Sequence, residues 1–210
     1  MIKSWMTRRS FAAAAAIAMG APRALAQAVD LAELNKDGPL GDQVLGNALA
    51  PVTIIEYASL TCVHCATFHA VGFKHLKEKY IDTGQVRFIL REFPLDPLSL
   101  AAFMLSRCAG EGKFYPMADM FFATQDSWTQ TDKPVDALLA QSRQAGFTKD
   151  SFETCLRDQK VFEGIEATRK RGQEKFGVNS TPTFFINGEI QRGAMSPGDI
   201  DRKLEALLKK

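Results

Sequence analysis

Cys62-Val63-His64-Cys65 places two thiols two residues apart, directly after the apolar run Val52 to Ala58 and at the head of a helical stretch. Cysteines at this spacing close and open a disulfide without rearranging the backbone, so the four residues are a candidate redox centre. Taken alone they also suit an inert structural disulfide or a metal half-site. Cys62, Cys65 and His69 could meet one ion with His75 nearby, although a tetrahedral zinc site normally wants four ligands. The redox chemistry requires no cofactor and no metal.

At a helix N-terminus, a Cys62 thiolate faces unpaired backbone N–H groups and the positive end of the helix dipole. The dipole is worth about 0.3–1 kcal/mol, or about 2 kcal/mol when partly buried. One pKa unit is about 1.36 kcal/mol, so the dipole lowers the thiol pKa by at most about 1.5. A strongly acidic thiol therefore needs direct donors as well: His64, between the cysteines, and the amides of the first turn. Cys65 lies one turn deeper and is expected to be buried, with a higher pKa, as the resolving thiol.

Three further positions bear on this chemistry. Glu56 interrupts an apolar strand, and a buried carboxylate costs several kcal/mol unless paired or protonated. It either points to solvent or finds a cation, with Arg87 or Arg91 on the next strand as the candidates. His69 and His75 read as packed or surface histidines without chemistry. Cys108 and Cys155 fall on apolar helix faces, Cys108 four residues after Met104 and Cys155 three after Phe152. In a reducing cell they would be two buried free thiols. In an oxidising compartment a disulfide is the better expectation, worth about 4 kcal/mol in the chain-entropy model.

The compartment is read from the N-terminus. Lys3, Arg8 and Arg9 with no acid precede an apolar stretch from Phe11 to Pro22, too short to span a bilayer. Ala24-Leu25-Ala26 forms an A-x-A cleavage site, which makes residues 1–26 a signal peptide and Gln27 the mature start. Thr7-Arg8-Arg9-Ser10-Phe11 fits a twin-arginine signal as well as an ordinary Sec signal. Either delivers the chain to an oxidising space, where disulfides persist. Cleavage removes Lys3, Arg8, Arg9 and Arg23 from 26 basic residues, leaving 22 against 24 acidic ones, a net charge of −2. No basic stripe with interleaved aromatics marks a nucleic-acid surface.

The elements that position these residues follow from pattern. Residues 28–50 read as loop-rich. Val52 to Ala58 is β-branched and apolar, as a strand covered on both faces should be. A helix from about Cys62 to Tyr80 turns Phe68, Phe73 and Leu76 inward, and Val86 to Arg91 is a second strand. This βαβ order implies parallel pairing. Helical spacing without strand signal then runs from Leu98 to Phe176, with Gly177 as the terminating residue. Thr183 to Ile186, the Asn187-Gly188 turn and Glu189 to Gln191 form a hairpin. Ser196-Pro197 opens a last helix. The fold class is α/β: residues 27–97 and 177–210 form one domain, with 27–50 as an N-terminal extension and 98–176 as a helical insertion.

Cys62-Val63-His64-Cys65 after a strand, Glu56 six residues before it, Thr181-Pro182-Thr183 leading into a strand and an exported precursor together resemble the thioredoxin superfamily. Within it the pattern is similar to the DsbA-type thiol–disulfide oxidoreductases of the bacterial periplasm. The resemblance implies a thioredoxin fold with an inserted helical domain and an acidic Cys62 thiol. It implies that Glu56 assists proton transfer at the buried thiol, and that Pro182 is cis, with the Thr181 backbone pairing to the substrate chain. Spacing alone does not justify a cis bond there, since about 5–6% of X–Pro bonds in folded proteins are cis, and a plain trans turn proline is the alternative. The implied partners are reduced exported proteins as substrates and a membrane oxidase of the DsbB type, with no nucleic acid. The implied activity is disulfide introduction in the periplasm, and the lack of an obvious dimerisation element in the sequence points to a monomer. A disulfide isomerase or reductase kept reduced in the periplasm stays open, because threonine before the proline fits such relatives too. A copper or zinc carrier of the same fold is the more distant alternative.

Overall fold

A computed structural model describes Met1 and residues 29–209; the expected signal peptide, residues 1–26, lies outside the described residues apart from Met1. Among the described residues five strands form one sheet: β1 (Gln43–Leu45), β2 (Val52–Ala58), β3 (Val86–Glu92), β4 (Thr183–Ile186) and β5 (Glu189–Arg192), in the spatial order β1-β3-β2-β4-β5. β2 and β3 run parallel, Val52 opposite Val86 through Ala58 opposite Glu92. The other pairings are antiparallel. The loop-rich reading of residues 28–50 misses β1 and a short helix, α1 (Leu31–Leu34). Both are too short for periodicity to register.

Side chains alternate across β2, as strand geometry requires. Val52, Ile54 and Ala58 enter one core with Phe88, Leu90 and Phe184. Ile55 and Tyr57 enter a second core on the opposite face with Ile89, Phe176, Val178 and Phe185. Glu56 has the parity of the first face, between Ile54 and Ala58.

That first face is covered by a continuous helical run: α2 (Val63–Thr67), a π-helical segment (Phe68–Phe73), α3 (Lys74–Leu76) and a second π-helical segment (Lys77–Ile81). Phe68, Phe73 and Leu76 are buried in it. Between β3 and β4 lie α4 (Pro97–Cys108), α5 (Phe114–Ala123), α6 (Gln125–Thr129), α7 (Pro134–Gln144), α8 (Lys149–Leu156) and α9 (Gln159–Phe176). Asp96 caps α4, accepting from Ser99 N at 2.8 Å, with Pro97 in the first turn. Gly177 ends α9 in the left-handed region at φ 65°. Asn187 and Gly188, at φ 47° and 86°, make the β4–β5 turn with both residues left-handed. A Ser196–Asp199 capping box starts α10 (Pro197–Leu208), whose Ile200 and Leu204 return to the first core. No helix among the described residues is long and apolar enough to cross a membrane.

Candidate active site

Cys62 is the N-cap of α2, with extended backbone at φ −80° and ψ 117°. An N-cap side chain is aimed at the amides of the second and third helical residues, here His64 and Cys65. A serine would accept hydrogen bonds there through its hydroxyl; cysteine puts sulfur in the same place. The thiol is partly exposed, and it donates to the carbonyl of Thr181 at 3.3 Å. The Cys62 pKa is lowered to about 5. The largest cause is the Cys65 thiol donating to its sulfur; partial burial opposes this; Thr181 and the amides of Cys65 and His64 lower it further. Direct hydrogen bonds therefore carry the thiol well past what the helix dipole alone supplies, a lowering of about 1.5 at most.

Cys65 is free and fully buried. Burial pushes its pKa well above the usual thiol range, and its hydrogen bond to Cys62 and the charge of Glu56 push the same way. The motif thus holds one thiolate at the surface and one protonated thiol beneath it. The His64 imidazole is exposed, and what His64 adds to the lowered Cys62 pKa comes from its main-chain N–H.

Glu56 is fully buried beneath the pair, and its partner is not an arginine. Oε2 lies 3.0 Å from His69 Nε2. Arg87 and Arg91 pair in register with Thr53 and Tyr57, so both belong to the opposite face of the sheet. Arg91 is spent there on Asp42 Oδ2 at 2.7 Å, the carbonyl of Leu34 at 2.9 Å and the Tyr57 hydroxyl at 3.2 Å. His69, expected only to be packed or at the surface, stacks on Phe122 at 4.1 Å and is the cation beside Glu56. It follows Cys65 by four residues, one turn along the same helix face, which is the signal that could have identified it. His69 Nδ1 contacts Asp119 Oδ1 of α5 at 3.3 Å. Its pKa rises to about 9: burial favours the neutral ring, but the Glu56 and Asp119 carboxylates overrule it. His75 is occupied by Asp201 at 2.7 Å.

The Thr181–Pro182 bond is cis. Thr181 presents its carbonyl to Cys62. A second residue unnoticed in the sequence is Gln125, at the start of α6. Its side-chain amide donates to the carbonyls of Leu60 at 2.7 Å and Cys62 at 3.1 Å, tying the helical insertion to the thiol loop. Cys108 and Cys155 are joined by a disulfide between α4 and α8, with Cα atoms 6.1 Å apart. Among the described residues, no group of three or more His, Cys, Asp or Glu gathers as a metal site would.

A family model described as thioredoxin matches residues 40–206. A Rickettsia bellii protein, provisionally named a protein-disulfide oxidoreductase, is 35% identical over 148 residues, 70% of this chain and 57% of its own length. A Rickettsia typhi protein of the same description is 33% identical over 168 residues, 80% of this chain and 62% of its own. The chain thus spans about 57–62% of the length of these curated relatives. The crystal structure of alpha-DsbA1 from Wolbachia pipientis is similar at 32% identity and a TM-score of 0.75, over 80% of this chain and 91% of that one.

Proposed function

Because the chain belongs to the DsbA-type thiol–disulfide oxidoreductases of the thioredoxin superfamily, we propose that it introduces disulfide bonds into exported proteins. A substrate thiolate attacks Cys62 Sγ of the oxidised Cys62–Cys65 pair. A mixed disulfide forms, and Cys65 leaves with the electron pair and takes up a proton. The substrate's second thiolate then attacks its own sulfur in the mixed disulfide and expels Cys62. The substrate has lost two electrons to the Cys62–Cys65 pair; Cys65 has taken up one proton, Cys62 is left as a thiolate, and the remaining substrate thiol proton stays in solvent. The observation that carries the direction is the acidic Cys62 thiol, at a pKa of about 5. A good leaving thiolate favours release of oxidised substrate, and stabilising the reduced form makes the disulfide an oxidant, by about 30 mV for each 1.4 kcal/mol.

In this cycle residues 1–26 export the chain to the periplasm by the Sec or twin-arginine route, and it acts there as a monomer. A membrane oxidase of the DsbB type returns the dithiol to the disulfide. Thr181 and the cis Pro182 face the thiols and pair with the substrate backbone, and Cys108–Cys155 braces the helical insertion. The reduction potential of the Cys62–Cys65 couple against glutathione tests the direction. A value well above that of thioredoxin, about −270 mV, supports oxidation. A value near that level, together with efficient refolding of a scrambled multi-disulfide substrate, assigns the chain to isomerases or reductases instead. The Cys62→Ser variant should oxidise no dithiol substrate.

A further inference from the structure

Cys65 and Glu56 are both fully buried, yet the proposed cycle takes a proton from Cys65 or returns one at every turnover. We propose that His69 and Asp119 form the outlet of a proton path that starts at Cys65, passes through Glu56 and reaches solvent on the helical insertion. The inference rests on the exchange chemistry proposed above and adds two positioning residues to it.

The geometry has a terminus at each end. Glu56 Oε1 is buried with no hydrogen-bond partner, while Oε2 is held by His69. A carboxylate kept only as an ion pair has no use for a bare buried oxygen; a proton acceptor does. Cys65 and His69 lie one turn apart on the helix face that covers β2: Glu56 holds His69 directly, and its charge acts on Cys65. His69 has one ring nitrogen on Glu56, at 3.0 Å, and the other on Asp119, at 3.3 Å. The Asp119 side chain is 46% exposed, against 3% for His69. The four groups therefore run from a sealed thiol to open water. Phe122 and Phe73, at ring distances of 4.1 and 4.6 Å, fix the imidazole between the two carboxylates.

The balance is closed. When Cys65 resolves a mixed disulfide, its S–H proton passes to Glu56 Oε1 and the electron pair stays on sulfur. His69 releases its Nδ1 proton to Asp119, which exchanges it with water. Carboxylate and imidazolium become carboxylic acid and imidazole, and the one charge left among them is the Cys65 thiolate, which its attack passes to the departing sulfur. The Cys65 thiolate attacks Cys62 Sγ, the new S–S bond forms, and the departing sulfur leaves with its bonding pair. Opening of the Cys62–Cys65 disulfide runs the path in reverse.

Glutathione disulfide mixed with the reduced protein separates the steps. Cys62 captures one glutathione, a step measured alone in a Cys65→Ser background, and Cys65 then releases it. In Asp119→Asn and His69→Gln the ratio of release rate to capture rate should fall about tenfold, a modest share of the 10²–10⁴-fold range of positioned proton transfer. Asp119→Glu should largely restore it. Asp119 is half exposed, so Asp119→Asn decides the matter even where His69→Gln fails to fold. Release at the wild-type ratio in a folded Asp119→Asn protein overturns the path and leaves the proposed activity standing. Failure of the wild-type protein to capture glutathione at Cys62 overturns both.

Discussion

Glu56 on β2 and His69 on the helix above it meet inside the core, Oε2 to Nε2 at 3.0 Å, with side chains 0% and 3% exposed. Removing one member of such a pair leaves an uncompensated buried charge, which typically costs about 3–5 kcal/mol. His69→Ala should be destabilised by that amount in denaturant unfolding. A Glu56→Leu, His69→Leu double variant should recover most of the loss, because it strands neither charge. Equal destabilisation of the single and double variants would mean that packing against Phe122 and Phe73, not charge, holds the site.

The same pair sets a pH dependence of known sign. The His69 pKa is raised from an ordinary 6.5 to about 9 in the folded chain. A group raised on folding adds stability that is complete below its unfolded pKa and is lost as pH climbs through the folded one. Stability should therefore fall by about 3 kcal/mol as pH climbs from the unfolded pKa to the folded one, because each pH unit between them removes about 1.36 kcal/mol. The measurement belongs on the oxidised protein, since the lowered Cys62 pKa gives the opposite slope over pH 5 to 9 in the reduced one. His69→Gln should flatten the profile.

Cys62 should titrate in the reduced protein with a midpoint near pH 5, followed through the ultraviolet absorbance of its thiolate. The Cys65 thiol is the largest single cause of the lowered pKa, so Cys65→Ala should raise the midpoint. His64→Ala keeps the main-chain N–H, and its effect on the midpoint measures what the exposed imidazole adds. A midpoint in Cys65→Ala unchanged from wild type would move the credit to the helix amides and Thr181.

The C-x-x-C, the βαβ order, the hairpin turn and the last helix are legible in the sequence because each rests on local chemistry. Cysteine spacing, strand apolarity, Asn187-Gly188 and Ser196-Pro197 report on themselves. The partner of Glu56 is not local. Arginine on the neighbouring strand is the plausible cation from sequence, and only the register, Glu56 opposite Leu90, puts Arg87 and Arg91 on the wrong face. Once β2 and β3 are paired in register, alternation alone rules both out and leaves the helix above as the source. β1 and α1 escape notice for the opposite reason. At three and four residues they are too short to show a period, and the docking of the chain onto β3 and Arg91 orders them instead.

The Cys108–Cys155 disulfide joins α4 to α8 across a sequence separation of 47 residues. In the chain-entropy model a loop of that size is worth about 4 kcal/mol. A Cys108→Ala, Cys155→Ala variant should lose roughly that stability while Cys62 keeps its acidic titration. A loss of Cys62 acidity in the same variant would show that the brace reaches the thiol site.

Gln125 is where such a connection would run. Its amide donates to the carbonyls of Leu60 and Cys62, and the side chain is buried at 7% exposure. Gln125→Ala strands the buried Leu60 carbonyl, at about 1–3 kcal/mol, and leaves the Cys62 carbonyl only its main-chain bond from Ala66 N at 3.1 Å. The loop carrying Cys62 is then held by the Ser99 hydroxyl, which accepts from Leu60 N at 2.9 Å. Looser positioning of Cys62 should weaken its alignment with the His64 and Cys65 amides. The midpoint of its titration should rise, and the capture of glutathione at neutral pH should slow. Gln125→Glu, which offers an acceptor where a donor is needed, should be worse than alanine on both measures. A Gln125→Glu protein with wild-type titration and capture would show that the insertion does no more than cover the sheet.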